Sequence, residues 1–283
     1  IFNALLNGAS LHVYPVARLG VSGLEEWMRR EGITIYCSVA TVFRHLLHSM
    51  NQENVFPDLR LIKLGGEATY KRDLEHLQPL LKHGCVVHCG LGATEIGLAL
   101  NYWVDEHTAI DKHVVPLGFP AEDIDVLLLD DAGQPVLPGE FGEIVIQSPY
   151  VALGYWGNES LTQQRFSVEE FPYATRRYRT GDLGVEMPDG CLEHRGRKDF
   201  QVKIRGNRVE IAEVEDYLFR LPQIAEAVVV SRPDGQGEDR LVAYVVARPE
   251  QACVLSDFRQ ALSEDLPAFM LPEALVVLSA LPQ

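Results

Sequence analysis

The sequence predicts an α/β fold that passes into a β-rich segment and closes on a small α+β unit. Three observations carry this. Strand-like apolar runs alternate with helix-period segments over residues 1–117. From Pro116 onward, glycines and prolines punctuate short strand patterns. Beyond Asp199 a hairpin, a helix and further strands follow in close succession. Alternating strands and helices argue a mainly parallel sheet with helices packed on it, whereas closely spaced strands argue antiparallel pairing.

Taken in order, Leu11-His12-Val13-Tyr14 reads as a strand, Gly23 to Glu31 as a helix and Ile33 to Val39 as a buried strand. Thr41 to Met50 has helical spacing, Leu59 to Leu64 is a strand, Lys71 to His83 a helix, and Cys85 to Cys89 a strand. The pattern then changes. Ile124 to Leu129 and Gly142 to Gln147 are strands flanking the turn Asp130-Asp131-Ala132-Gly133, in a segment expected to form a small distorted barrel or sheet. Toward the end, Ala225 to Ser231, Leu241 to Ala247 and Ala274 to Leu278 read as strands, and Ser256 to Leu266 as a helix. The expected modules are 1–117, 118–198 and 199–283, the last boundary at Asp199 being one that composition alone does not locate.

Composition narrows the function classes. With 47% apolar and 23% charged residues the chain has the balance of an ordinary globular protein. A formal net charge of −15 disfavours a nucleic-acid partner, which needs a basic surface. No apolar run approaches membrane-spanning length, and nothing at the start reads as a signal peptide. Five cysteines (Cys37, Cys85, Cys89, Cys191, Cys253) lack zinc spacing and suit reduced thiols, so the expected compartment is cytoplasmic. The opening Ile1-Phe2-Asn3-Ala4-Leu5-Leu6 reads as the middle of a helix, as in a piece of a longer chain.

The most informative stretch is GRKDFQVKIRGNRVEIAEVE, Gly196 to Glu215. Val202 and Ile204 alternate with Gln201, Lys203 and Arg205, the period of a strand with one wet face. Gly206-Asn207 supplies a turn signal, Val209 and Ile211 return, and Val214 and Leu218 fall on one helical face. By itself this is also how a solvated basic hairpin looks. Three further motifs could carry chemistry. Gly90-Leu91-Gly92-Ala93-Thr94-Glu95 follows a buried strand, where open α/β sheets bind ligands and glycine admits close backbone approach. Its bland reading is a glycine turn before a helix. Gly65-Gly66-Glu67 ends another strand and also reads as a terminating turn with a solvated Glu. Tyr178-Arg179-Thr180-Gly181-Asp182-Leu183 holds a carboxylate on what reads as a turn. No Ser/His/Asp or Cys/His constellation stands out among the nine histidines, which read as satisfied or exposed side chains.

In this order the motifs resemble the adenylate-forming superfamily of acyl-CoA ligases, luciferases and peptide-synthetase adenylation domains, and most closely the last. The resemblance covers nearly the whole chain and implies the carboxyl-terminal portion of a large adenylation domain, an α/β layer and small β-barrel, followed by a hinged α+β lid. It implies activation of a carboxylic acid, amino or related, with ATP and Mg²⁺ to an acyl adenylate. The acyl group then passes to the phosphopantetheine of an acyl or peptidyl carrier protein. Free CoA as acceptor, or a non-catalytic nucleotide-binding or carrier-docking module, are the alternatives.

The same likeness implies roles residue by residue. Thr94 faces the α-phosphate, Glu95 the metal and Asp182 the ribose, while Arg197 reaches the ribose. Asp199 is the hinge, and Lys203 approaches the site after the swing. Gly65, Gly66, Glu67, Gly90, Leu91 and Gly92 line the nucleotide, and Cys37, Lys63, Gly65, Gly90, Leu98 and Ala99 the substrate pocket, where Lys63 suits an anionic acid. Gly139-Glu140-Phe141-Gly142-Glu143-Ile144, Gly154-Tyr155-Trp156 and Leu266-Pro267-Ala268-Phe269-Met270-Leu271-Pro272 match stretches read as structural. Two positions depart from the pattern: Leu91 replaces an aromatic that stacks on adenine, and Cys89 an Asn that reads its edge. The phosphate loop and a late Asn-Gly-Lys are absent from these 283 residues, which are expected to be inactive in isolation.

Overall fold

The structure is a computed structural model that describes residues 2–49, 56, 58–77, 84–169, 175–198, 201–234, 238–249 and 254–281. Three hydrophobic cores organise them, each under its own sheet.

The first sheet runs Ile35–Val39, Leu61–Gly65, Val86–Cys89, Leu100–Val104 and Phe119–Pro120, hydrogen-bonded in that spatial order. The first three strands are parallel and the last two antiparallel, so the sheet is mixed where a mainly parallel one was expected. One face packs Ile62, Leu64 and Val87 against Leu24, Met28, Phe43 and Leu46 of the helices Leu24–Arg30 and Ala40–Ser49. The other face is partly open. Tyr36 is buried, but Ile35 is 46% exposed and Cys37 is also exposed. Ile33 to Val39 is therefore a half-buried strand, a correction to the buried one expected. Leu11 to Tyr14 form no strand at all. Val13 is exposed and Tyr14 packs on Trp27 at 5.1 Å, and among the described residues no strand pairs with this alternating run. The helix expected from Lys71 to His83 is described as Lys71–Glu75, and residues 78–83 lie outside the described residues.

The second sheet is antiparallel: Phe166–Glu169, Thr175–Glu186, Gly142–Ser148 and Asp125–Leu129 in order, with Leu192–Arg197 also paired to the long strand. Ile144, Ile146, Tyr178 and Leu192 fill its core together with Leu91, Ala99 and Leu100 from the first sheet's side. The two sheets meet at Gly118, whose N–H and C=O bond Leu192 at 3.2 and 2.9 Å.

The third unit pairs Ile224–Pro233 with Asp239–Ala247, which in turn pairs in parallel with Ala274–Leu278. Helices Ile211–Phe219 and Leu255–Leu262 cover it through Val214, Leu218, Phe258 and Leu262. Ahead of it stands the hairpin Gln201–Ile204 and Asn207–Glu210. Its turn is Arg205-Gly206, one residue earlier than read from sequence, with φ of 49° and 78°. Positive φ at both centres is the type I′ geometry whose twist suits a two-residue hairpin. The slip matters because this register sets Lys203 opposite Arg208. Among the described residues no helix is long and apolar enough to cross a membrane.

Candidate functional site

The carboxyl ends of the first sheet, the long strand of the second and the hairpin of the third unit enclose one cavity of about 220 Å³. Of the residues singled out by sequence, Gly66, Glu67, Gly90, Leu91, Gly92, Asp182, Arg197 and Lys203 line it. Cys37, Lys63, Gly65, Thr94, Glu95, Leu98 and Ala99 do not appear in that lining. Cys37, Lys63 and His88 instead form a cross-strand row on the first sheet's open side. Thr94 is exposed, and Ala99 is fully buried. Asp199 lies outside the described residues.

Backbone geometry explains the glycines. A Cβ on Gly90 would sit 1.9 Å from the Leu100 carbonyl oxygen, so the strand end can turn toward the cavity only without a side chain. After it comes a two-residue ladder, Gly92–Ala93 against Gly97–Leu98, rather than the helix the bland reading expected. Thr94 and Glu95 lie at its turn. Leu91 is 6% exposed and supplies an apolar wall. Cys89 is also buried, and burial pushes its thiol up to about 11, so it stays protonated and offers only a weak S–H donor at neutral pH.

Asp182 sits on a bulge and not on the turn expected. The twelve-residue strand Thr175–Glu186 loses register between Arg179 and Leu183 against one neighbour and between Asp182 and Gly184 against the other. Thr180 Oγ1 fills the gap by donating to the Ile144 carbonyl at 2.7 Å, and Gly181 takes φ 75°. Bulges redirect side chains in this way. The redirected Asp182 is 6% exposed; its Oδ1 accepts from Arg197 Nη1 at 2.8 Å and lies 3.1 Å from His194 Nε2. Burial pushes this carboxyl up, but the His194 hydrogen bond and the charges of Arg197 and Lys203 outweigh it, leaving Asp182 below its ordinary range. Arg197 is itself fixed by the Thr180 carbonyl at 3.0 Å. Burial draws the Lys203 ammonium below its ordinary value, Asp182 opposing.

Glu95 is engaged from two sides. Tyr155 donates its hydroxyl to Oε1 at 2.7 Å, and Arg208 Nη1 stands 3.2 Å from the same oxygen. Burial raises this carboxyl, but the bonds from Tyr155 and Tyr178 and the Arg208 charge hold it low. Glu67 Oε2 accepts Thr41 N–H at 2.9 Å and Thr41 Oγ1 at 2.6 Å, tying it to the start of the helix Ala40–Ser49. Sequence reasoning missed His194, Arg208, Tyr155, Thr41, Arg44 and Glu238. Arg208 was within reach, since a turn at Arg205-Gly206 puts it across from Lys203. The others depend on contacts between distant segments.

The family description "AMP-binding enzyme" matches residues 1–156, and "AMP-binding enzyme C-terminal domain" matches residues 213–283. Tyrocidine synthase 3 of Brevibacillus parabrevis is 34% identical over 284 residues, 100% of this chain and 4% of that protein. The structure of PA1221, an NRPS protein containing adenylation and PCP domains, aligns with TM-score 0.82 and 27% identity over 100% of this chain and 56% of that one. The Vibrio cholerae adenylation domain AlmE, in complex with glycyl-adenosine-5'-phosphate, aligns with TM-score 0.84 and 26% identity over 100% of this chain and 53% of that one. The chain thus spans about half the length of these solved chains.

Proposed function

The chain belongs to the AMP-binding enzyme family, with adenylation domains as its structural neighbours, and we propose on that premise that it helps activate a carboxylic acid as an acyl adenylate and pass it to a carrier-protein phosphopantetheine. The observation that carries this reading is Asp182. It is buried, ionised and aimed by a bulge into the cavity beside Gly90, Leu91 and Gly92, with Arg197 at its side. A carboxylate in that setting can accept two ribose hydroxyls, while the glycine turn admits the nucleotide backbone. Leu91 and the Cys89 thiol leave the base to be held chiefly by shape and backbone groups.

Roles follow for the remaining groups. Arg197 binds the ribose and offsets negative charge. Thr94 meets the α-phosphate. Lys203, brought in on the hairpin, lies near the reacting carbonyl during transfer. Module boundaries are proposed at 117/118 and 198/199, with Asp199 as the hinge; the core of the last unit draws only on residues beyond 198, whereas the core under the second sheet reaches back to Leu91 and Leu100. The docked hairpin corresponds to the transfer arrangement. Cys37, Lys63, Gly65, Gly90, Leu98 and Ala99 are the proposed acid pocket, in which Lys63 favours an anionic side chain.

Among the described residues no cluster of three or more His, Cys, Asp or Glu could hold a metal. That fits magnesium held by a single carboxylate and phosphate oxygens, with Glu95 as the carboxylate once Arg208 has moved off it. When bound, the metal would neutralise charge on the phosphates. By themselves the 283 residues bring few cations to a triphosphate, and Arg208 is already paired, so in isolation they are proposed to form no adenylate.

Pyrophosphate exchange on the full-length protein, across amino, hydroxy and aryl acids, tests the first step. Acid-dependent exchange is expected, followed by thioester formation on a carrier protein and not on free CoA. No exchange with any acid would refute catalysis and favour a nucleotide-binding module.

A further inference from the structure

We infer that Glu238 is a positioning residue: by bridging to Arg44 and Thr41 it fixes the third unit in the orientation that sets Lys203 beside Asp182. Glu238 lies 197 residues after Thr41 and enters from the connection between the strands Ile224–Pro233 and Asp239–Ala247. Its Oε1 accepts from Arg44 Nη1 at 2.7 Å, and its Oε2 accepts from Thr41 Oγ1 at 2.7 Å. The side chain is only 14% exposed and Arg44 9%, so the pair lies in a region where solvent screens little. Burial raises the Glu238 carboxyl, but Thr41 and Arg44 more than compensate and keep it ionised.

Both sides of the contact are built beforehand. Arg44 is already held by Asp73 Oδ1 and the Ala68 carbonyl, each at 3.0 Å, and lies 5.2 Å from the Tyr70 ring centroid. Glu238 is aimed by Asp234, whose carboxylate accepts the Glu238 N–H at 2.9 Å and whose own N–H donates to the Glu238 carbonyl at 2.8 Å. Little conformational freedom is lost when two such fixed groups meet. The Thr41 hydroxyl has one proton and two carboxylates in range, Glu67 and Glu238, so it serves one at a time. Glu67 keeps the Thr41 N–H in either case. The third unit can therefore leave without stranding any large-unit group: Arg44 retains Asp73, and Thr41 retains Glu67. That makes Glu238 a releasable contact.

Among the described residues the hairpin also makes contacts across this boundary, and Asp239 beside Glu238 faces the same cavity. Gly206 approaches Val39 so closely that a Cβ would stand 2.7 Å from Val39 Cγ1, and Arg208 reaches Glu95. Glu238 is thus a second, remote anchor, and two separated anchors resist the rotation that one would allow.

Its catalytic meaning rests on the proposed reaction, but the contact can be tested without ATP, so the two can fail separately. Hydrogen exchange by mass spectrometry is compared for the full-length protein and for its Glu238→Gln variant, which keeps shape and removes charge. Exchange should rise about tenfold or more at 201–210 and 40–44, the effect of losing a charged hydrogen bond. The core strands Leu61–Gly65 and Asp239–Ala247 should be unaffected. Thr41→Val, near in shape but lacking the hydroxyl, should raise exchange in the same segments, and Thr41→Ser should restore protection. Unchanged exchange at 201–210 in Glu238→Gln, or a uniform rise that includes both core strands, would overturn the inference. So would Thr41→Val behaving like Thr41→Ser.

Discussion

Asp182→Ala is expected to weaken binding of a non-hydrolysable acyl-adenylate analogue by about 2–4 kcal/mol, roughly 30- to 1,000-fold. Two effects add. The ribose loses a charged acceptor, and Arg197, only 13% exposed at its side chain, loses the carboxylate that neutralises it. The strand itself should hold, because the bulge is stabilised by Thr180 on the Ile144 carbonyl and by Lys198 N–H on the Gly181 carbonyl at 2.8 Å. Isothermal titration with the analogue, alongside urea unfolding of both proteins, checks this. Equal affinities with equal stabilities would remove Asp182 from the ribose.

Gly118→Ala is expected to destabilise the chain by about 3 kcal/mol or more. Gly118 holds φ 92°, a left-handed conformation that side chains rarely adopt, and a Cβ there would lie 2.0 Å from the Asn101 carbonyl oxygen. Neither strain can relax cheaply. Asn101 belongs to Leu100–Val104 of the first sheet, while Gly118 bonds Leu192 of the second. Moving either backbone would pry apart the sheets, which share the core of Leu91, Leu100 and Ile144. Urea unfolding followed by circular dichroism measures the loss, and a change under about 1 kcal/mol would show that the junction yields.

Much of this fold could be read from local pattern, because the relevant forces are local. The hairpin, the helix through Val214 and Leu218 and the strands around Ile62 and Val87 each show their period in the chain. Reading failed where a partner decides the outcome. Leu11 to Tyr14 alternates like a strand, yet among the described residues no neighbouring strand accepts its backbone. Ile33 to Val39 is apolar enough for burial on both faces, yet helices cover only one. The turn at Arg205-Gly206 was displaced by one residue because Asn207 is as good a turn former as Arg205 is a poor one. Motif resemblance reached Asp182, Arg197 and Lys203. It did not reach His194 or Glu238, which are ordinary surface-type residues until folding puts them beside Asp182 and Arg44. The site is legible where chemistry is written in adjacent residues, and illegible where two units supply one contact each.

The central claim is that this cavity holds an adenylate by its ribose. A crystal structure of the full-length protein with an acyl-sulfamoyl adenosine tests it most directly. The account predicts both ribose hydroxyls within hydrogen-bonding distance of the Asp182 carboxylate, with the base against Leu91 and the backbone of Gly90 to Gly92. An adenosine bound elsewhere, or one in the cavity with its ribose turned away from Asp182, would contradict it.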